Sequence, residues 1–256
     1  MTYATEAEMV QAFVAEVGRK NGLAWRDQKW VVYAETGGFD LLLVEESTGL
    51  QVGIEAKLSL NAKVLAQALP QRSYWADTGP DYRAVLVPSQ KCQHHMTELA
   101  AALGITVITI RPSEHRYGDQ VSIINPTHLP SQDFSHDYGW FAFVPAQRVT
   151  LPEYIPDVSG GHAAPVALTI WKIKAIKLMV LLDRRGYVTR HDMKLLQISP
   201  SRWTDRTSGY LSPDPIKGGY VRNGLTPDLK AQHPVNYVEI EADFDKWSKD
   251  HLGLLP

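Results

Sequence analysis

Phe39-Asp-Leu-Leu-Leu-Val44 and Leu50-Gln-Val-Gly-Ile-Glu-Ala-Lys-Leu58, joined by Glu46-Ser-Thr-Gly49, decide how this chain is read. Both runs are apolar and β-prone, and the residues between them are turn formers, so the stretch predicts an antiparallel hairpin. With the turn between Ser47 and Thr48, facing residues have numbers that sum to 95, which sets Asp40 opposite Glu55. Lys57 projects from the same face, because side chains alternate along a strand. Two carboxylates facing each other in an apolar hairpin repel unless a cation lies between them. Oxygen ligands converging from two strands suit Mg²⁺ or Mn²⁺, which keep positions open for water and phosphate. An adjacent lysine can polarise an attacking water or offset charge developing on a phosphate. A register shifted by one residue would instead leave Asp40 as a turn acid after Gly37-Gly38 and Glu55 at the sheet edge. The residues by themselves leave both readings open.

Upstream, Thr5-Glu6-Ala7-Glu8 fits a capping box, and Met9, Val10, Phe13, Val14 and Val17 recur at helical spacing up to Gly22. Glu6 falls near the middle of the face those apolar residues share, while Glu8 points away. A carboxylate there needs a partner or a cation, or else it sits at the rim and favours the helix dipole. Lys29 to Glu35 reads as a strand leading to the Gly37-Gly38 turn.

Gly38-Phe39-Asp40, fourteen residues and then Glu55-Ala56-Lys57 resemble the core of the PD-(D/E)xK nucleases, found in restriction endonucleases and many phage and repair nucleases. Downstream, Lys63 to Leu69 is similar to that family's next helix, Tyr82 to Pro88 to its next strand, Ser89 to Leu103 to a helix and Gly104 to Ile110 to a further strand. The resemblance covers roughly residues 5 to 125 and implies an α/β restriction-endonuclease-like core, a mixed sheet flanked by helices. It implies that Asp40 and Glu55 are metal ligands, Lys57 the catalytic lysine, Gln67 an auxiliary site residue and Glu6 the further acid that some members place on the first helix. The cofactor implied is Mg²⁺, with Mn²⁺ able to substitute. The proline that names the motif is absent before Asp40, Pro70 interrupts the following helix, and Gln67 is followed by Gln71 rather than by a tyrosine, with Tyr74 further on.

Charge divides the chain. Residues 1–150 carry 12 Lys/Arg and 16 Asp/Glu, whereas residues 168–235 carry 12 and 5, so a net of −4 stands beside a net of +7. The tail from Asn236 is acidic again, with 5 acids and 2 lysines. Between the halves, Pro145 to Ala167 holds four prolines and Gly160-Gly161, which oppose helix and sheet and predict a linker. The expected domains are 1–144, a linker 145–167, a second domain 168–242 and a tail 243–256. A basic module of this size fits a polyanion partner, and equally an ordinary solvated helical surface.

In the second half, apolar positions from Val166 to Leu182, Trp171 among them, predict a helix ending at Arg184-Arg-Gly186. Thr189 caps a short helix over Arg190 to Gln197, and Ser199-Pro200 opens a third. Ile216 to Gly224 reads as a glycine-turned hairpin and Pro234 to Ile240 as a closing strand. Three helices and a basic hairpin resemble a winged helix-turn-helix, a small α+β domain. In such a domain the third helix, carrying Arg202, Arg206 and Thr207, would enter the major groove, and Lys217 and Arg222 on the wing would contact the backbone. His94-His95 is expected to be solvated, and Trp140-Phe-Ala-Phe143 to pack between the modules.

Hydrophobic residues make up 44% of the 256 and charged residues 21%, which excludes a disordered or fibrous chain. The single cysteine, Cys92, cannot form an internal disulfide. No run approaches the roughly 18 apolar residues of a membrane span, and Met1 to Glu8 is no secretory signal, so the expectation is a cytoplasmic chain without membrane contact. The leading expectation is a metal-dependent DNA endonuclease, targeted by a winged-helix domain and using no small-molecule cofactor. By resemblance it would work in a phage, prophage or defence setting, and could act as a homodimer that cuts both strands. The alternatives are a catalytically silent regulator or anti-defence protein on the same fold, binding DNA or a protein, and RNA cleavage by the same core.

Overall fold

A computed structural model of the chain describes residues 3–21, 28–70, 78–114, 120–131, 139–157 and 168–252. These fall into two compact units. One runs to Leu151; the other takes Pro152–Asp157 and the chain from Leu168 onward.

The first unit opens on α1 (Glu6–Asn21). Thr5 Oγ1 accepts from Glu8 N at 3.1 Å, while the Glu8 carboxylate accepts from Ala4 N at 2.8 Å, one residue earlier than a reciprocal capping box would have it. Met9, Val10, Phe13 and Val17 are buried on the helix face the periodicity marks. Three antiparallel strands follow: β1 (Trp30–Thr36), β2 (Phe39–Glu45) and β3 (Gln51–Ala56). Gly37 and Gly38 turn β1 into β2 with φ of +66° and +85°, a region open to glycine at little steric cost. Leu41 pairs with Ile54 and Val44 with Gln51, the register in which partners sum to 95. The tight turn between β2 and β3 is held by Glu45, whose carboxylate accepts from Ser47 Oγ, Thr48 N and Thr48 Oγ1 at 2.6–2.8 Å. Burial acts to raise its pKa, but these bonds win and hold it at about 2.

β3 to β5 are parallel, a pairing that needs crossovers. α2 (Ala62–Ala68), capped by Asn61, leads to β4 (Tyr82–Pro88), and α3 (His94–Ala102) leads to β5 (Thr106–Glu114). The helix expected over 89–103 is shorter, because Ser89–Lys91 is a separate 3-10 turn. β6 (Gln120–Asn125), which the sequence reading did not single out, closes the sheet antiparallel to β5. The sheet is therefore mixed and six-stranded, in the order β1 to β6, with helices on both faces: an α/β fold. One face packs Leu41, Ile54, Leu86 and Ile108 with α1, and the other packs Val85 and Val87 with Val64, Leu65 and Ala100. Trp140 packs inside this unit rather than between modules, edge-on to Tyr82 at 5.9 Å and donating from Nε1 to the His128 carbonyl at 3.1 Å.

The expected linker is not free at its described ends. Val149 exchanges two hydrogen bonds with the Gln51 side chain, at 2.8 and 2.9 Å, and Arg148 pairs with Asp81 at 2.8 Å. Pro152–Asp157 belongs to the second unit, where Glu153 pairs with Lys177 at 2.7 Å and Asp157 with His233 at 2.9 Å.

That second unit is built on α4 (Ile170–Arg185), capped by Thr169 and ended by Gly186 at φ +79°. Trp171, expected on its packed face, is 44% exposed. α5 (Arg190–Leu195) starts in a capping box of Thr189 and Asp192, and α6 (Pro200–Thr204) follows. The hairpin is β7 (Leu211–Asp214) with β8 (Gly219–Arg222), so the turn lies at 215–218, earlier than expected. Val188 bridges to Tyr220 as a third partial strand. After α7 (Leu229–Gln232), the segment expected as a closing strand is a helix, α8 (Pro234–Ala242). Proline suits a first helical turn, and the Asp157 carboxylate accepts from Val235 N and Asn236 N at 3.0 and 3.2 Å. The expected tail is likewise helical, as α9 (Phe244–Leu252), with Trp247 buried. No helix among the described residues is long and apolar enough to cross a membrane.

Candidate functional site

Glu55 sits on the central strand β3, where it pairs with Val85 of β4, and is 5% exposed. The register that pairs Leu41 with Ile54 carries on to set Asp40 across from it. Asp40 Oδ2 accepts from Ala56 N at 2.8 Å, so the side chain folds back onto β3 where the ladder stops, and its other oxygen meets no donor among the described residues. No hydrogen bond among the described residues reaches the Glu55 carboxylate. Burial pushes its pKa up to about 7; the nearby charges of Asp40 and Glu35 add to this, and Lys57 opposes it.

Lys57 leaves the end of β3 and donates from Nζ to Glu6 Oε2 at 3.0 Å. Burial acts to lower its pKa, but the bond to Glu6 and the charges of Asp40, Glu6 and Glu55 outweigh it and leave the group above its ordinary value. Glu6, half-buried at the first turn of α1, is thus a partner of the lysine; this answers why a carboxylate stands on that helix face. Gln67 lies exposed on α2, the helix packed over the sheet face that carries Glu55, with no hydrogen bond to Asp40, Glu55 or Lys57 among the described residues. Gln71 and Tyr74 lie outside the described residues. His94 is solvated, as expected, beside Glu98 at 3.3 Å.

Glu35 was missed by the sequence reading. It is half-buried near the end of β1, and its φ of +49° is uncommon for any residue but glycine. The Gly37-Gly38 turn brings its charge within reach of Glu55. The one signal available was an acid five residues before Asp40 across a two-glycine turn.

A divalent cation fits what is here. A buried carboxylate without a donor among the described residues, beside a second carboxylate with one oxygen unbonded among them, is the chemistry such an ion satisfies. Among the described residues no group of three or more His, Cys, Asp or Glu forms a ready cluster, so Asp40 and Glu55 would supply two ligands and leave the others to water and phosphate.

Of the four residues expected to meet nucleic acid in the second unit, one lies on the third helix, one just past its end and two on the hairpin. Arg202 is on α6, donating from Nε to Tyr210 OH at 2.8 Å. Arg206 and Thr207 fall beyond the helix, because Asp205 accepts from the amides and hydroxyls of both Thr207 and Ser208 and draws them into a turn. Lys217 and Arg222 do share the hairpin. Lys217 Nζ donates to the Gly186 carbonyl at 3.2 Å, and Arg222 pairs with Asp183 at 2.6 Å.

Comparison of the chain with protein-family models, with curated proteins and with solved structures finds no match.

Proposed function

We propose that the first unit is a metal-dependent nuclease of the PD-(D/E)xK type and that the basic second unit binds its DNA substrate. The observation that carries this reading is Glu55: a buried carboxylate, facing Asp40 across a hairpin, next to a lysine, and with no hydrogen-bond donor among the described residues. Such a group costs stability unless a cation meets it. The order of the sheet supports the same reading, since an antiparallel β1–β3 sheet followed by two parallel crossovers is what the resemblance implies.

Asp40 and Glu55 would hold Mg²⁺ or Mn²⁺, which when bound supplies Lewis acidity toward a phosphate oxygen and a more acidic water. Lys57 is held in place by Glu6 and stays protonated at neutral pH, so it acts as a fixed positive charge beside the phosphate rather than as a base. Arginine in its place would fit poorly, being planar and broader. In the second unit, α4, the bridging residue Val188, α5, α6, β7 and β8 follow one another in the element order of a winged helix, which supports a DNA-binding reading alongside the +7 charge of residues 168–235.

Incubating the full chain with plasmid, single-stranded DNA and RNA, in Mg²⁺, Mn²⁺ or chelator, tests the proposal. DNA should be cut only with metal, and Asp40→Asn should abolish cutting, together with the metal-induced rise in Tm. Cleavage that persists in chelator, or an equal Tm rise in Asp40→Asn, would overturn it.

A further inference from the structure

The turn between β7 and β8, Pro215-Ile216-Lys217-Gly218, carries the most exposed large apolar side chain among the described residues. Ile216 is 97% exposed, against 74% for the next, Val144. It is not exposed for want of order. Asp214 Oδ1 accepts from both Ile216 N and Lys217 N, at 2.9 and 3.2 Å, which pins the backbone of the apex. Gly218 turns it back at φ +67°, and Gly219 passes so close to the Tyr187 ring and the Val188 carbonyl that a Cβ would lie 2.6 and 2.7 Å from them. Two hydrogen bonds between Val188 and Tyr220, at 2.9 and 2.7 Å, fix the hairpin to the body of the unit. The isoleucine is therefore held outward on a pinned turn and packs on none of the described residues.

Cations stand along the hairpin and at its base: Lys217 is the next residue, Arg190 lies over the Tyr220 ring at 6.0 Å, Arg222 ends β8 paired with Asp183, and Arg185 lies over the Tyr187 ring at 4.6 Å and pairs with Asp192. Guanidinium and ammonium groups at the base of a hairpin suit phosphates. An apolar point has no place on a phosphate chain; its complement is the apolar space between stacked base pairs, entered from the groove.

We infer that the β7–β8 hairpin is a duplex-distorting wedge, which drives Ile216 between base pairs while the cations around it hold the flanking phosphates. This rests on the DNA-binding reading of the second unit and adds a specific act to it: local unstacking, with a preference for easily opened steps.

The test uses the full chain in chelator, so that no strand is cut, with a duplex carrying 2-aminopurine, whose fluorescence rises when it unstacks. Wild type should bind with a steep salt dependence and raise the fluorescence. Ile216→Ala should lose that rise and bind about tenfold more weakly, the apolar contact being gone; Ile216→Leu should keep both. Ile216→Lys should lose the fluorescence rise even if its added charge tightens binding, and a variant that keeps the rise overturns the wedge. The wedge is overturned if wild type binds without unstacking, or if Ile216→Ala matches it in both readouts; the DNA-binding reading survives either result. Failure of wild type to bind duplex at any salt overturns both. Binding to phosphatidylserine vesicles that Ile216→Ala abolishes, with duplex binding untouched, would give the tip to a membrane surface and overturn the wedge.

Discussion

Glu55 in the first unit and Asp157 in the second are both buried carboxylates, with opposite surroundings. Asp157 accepts from Val235 N and Asn236 N with one oxygen and from His233 Nδ1 with the other, and the ring's far nitrogen lies 3.2 Å from Lys172 Nζ. The carboxylate thereby serves as the N-terminal cap of α8 and ties Pro152–Asp157 to its unit. Glu55 has no donor among the described residues, and two more carboxylates act on it. A closed network of this kind rigidifies a fold, whereas an open one stores an unmet electrostatic demand. Such a demand is tolerated where a ligand meets it, so of the two the open carboxylate is the candidate for the proposed function.

The largest expected effect probes the closed network. Asp157→Ala removes the acceptor of three donors, one of them on a fully buried imidazole, and should lower unfolding free energy in urea by roughly 3 kcal/mol or more. A loss below about 1 kcal/mol would mean that the strap on α8 is incidental and that the two carboxylates do not differ in kind.

Next in size is a pH effect at Glu55. Its folded pKa of about 7 lies above the ordinary 4.5, so the folded state binds its proton more tightly than the unfolded chain. The associated stability is fully present below about pH 4.5 and is lost as pH rises through 7; by pH 8 the difference is about 3 kcal/mol. Glu55→Gln should flatten that part of the stability curve, leave the protein more stable than wild type at pH 8, and abolish cleavage. Mg²⁺ should stabilise wild type above pH 7 and leave Glu55→Gln unmoved. A variant less stable than wild type at pH 8 would make Glu55 a structural carboxylate like Asp157.

How much of this was legible follows from how local each determinant is. The facing of Asp40 and Glu55 needed only the place of one turn and the period-two rule, and Ser47-Thr48 supplied the turn. Glu35 was only faintly legible: the Gly37-Gly38 turn places it near Asp40 and Glu55, but sequence patterning does not register the left-handed backbone at Glu35 itself. The α8 segment was misread because Val235, Tyr237 and Ile240 fit an apolar strand as well as a helix. What decides it is the Asp157 cap, contributed from the far side of α4 in the chain. The shortness of α6 has a local cause, the Asp205 turn that ends it before Arg206, and Asp205-Arg-Thr-Ser208 carries that signal in the sequence.

The smallest expected effect asks on which side of the open network Glu6 belongs. Its bond to Lys57 is made between side chains that are 35% and 28% exposed, so Glu6→Gln should change stability by less than about 1 kcal/mol. If Glu6 positions the lysine, the variant still offers Lys57 an acceptor but no charge. Turnover should then drop about tenfold, with the Mg²⁺ concentration for half-maximal cleavage unchanged. If Glu6 were itself a metal ligand, that Mg²⁺ concentration would rise by an order of magnitude or more, because a hard cation binds a carboxamide oxygen far more weakly than a carboxylate. Titrating Mg²⁺ against cleavage rate in wild type and Glu6→Gln separates the two, and a shifted midpoint would move Glu6 from the lysine's partner to a third ligand beside Asp40 and Glu55.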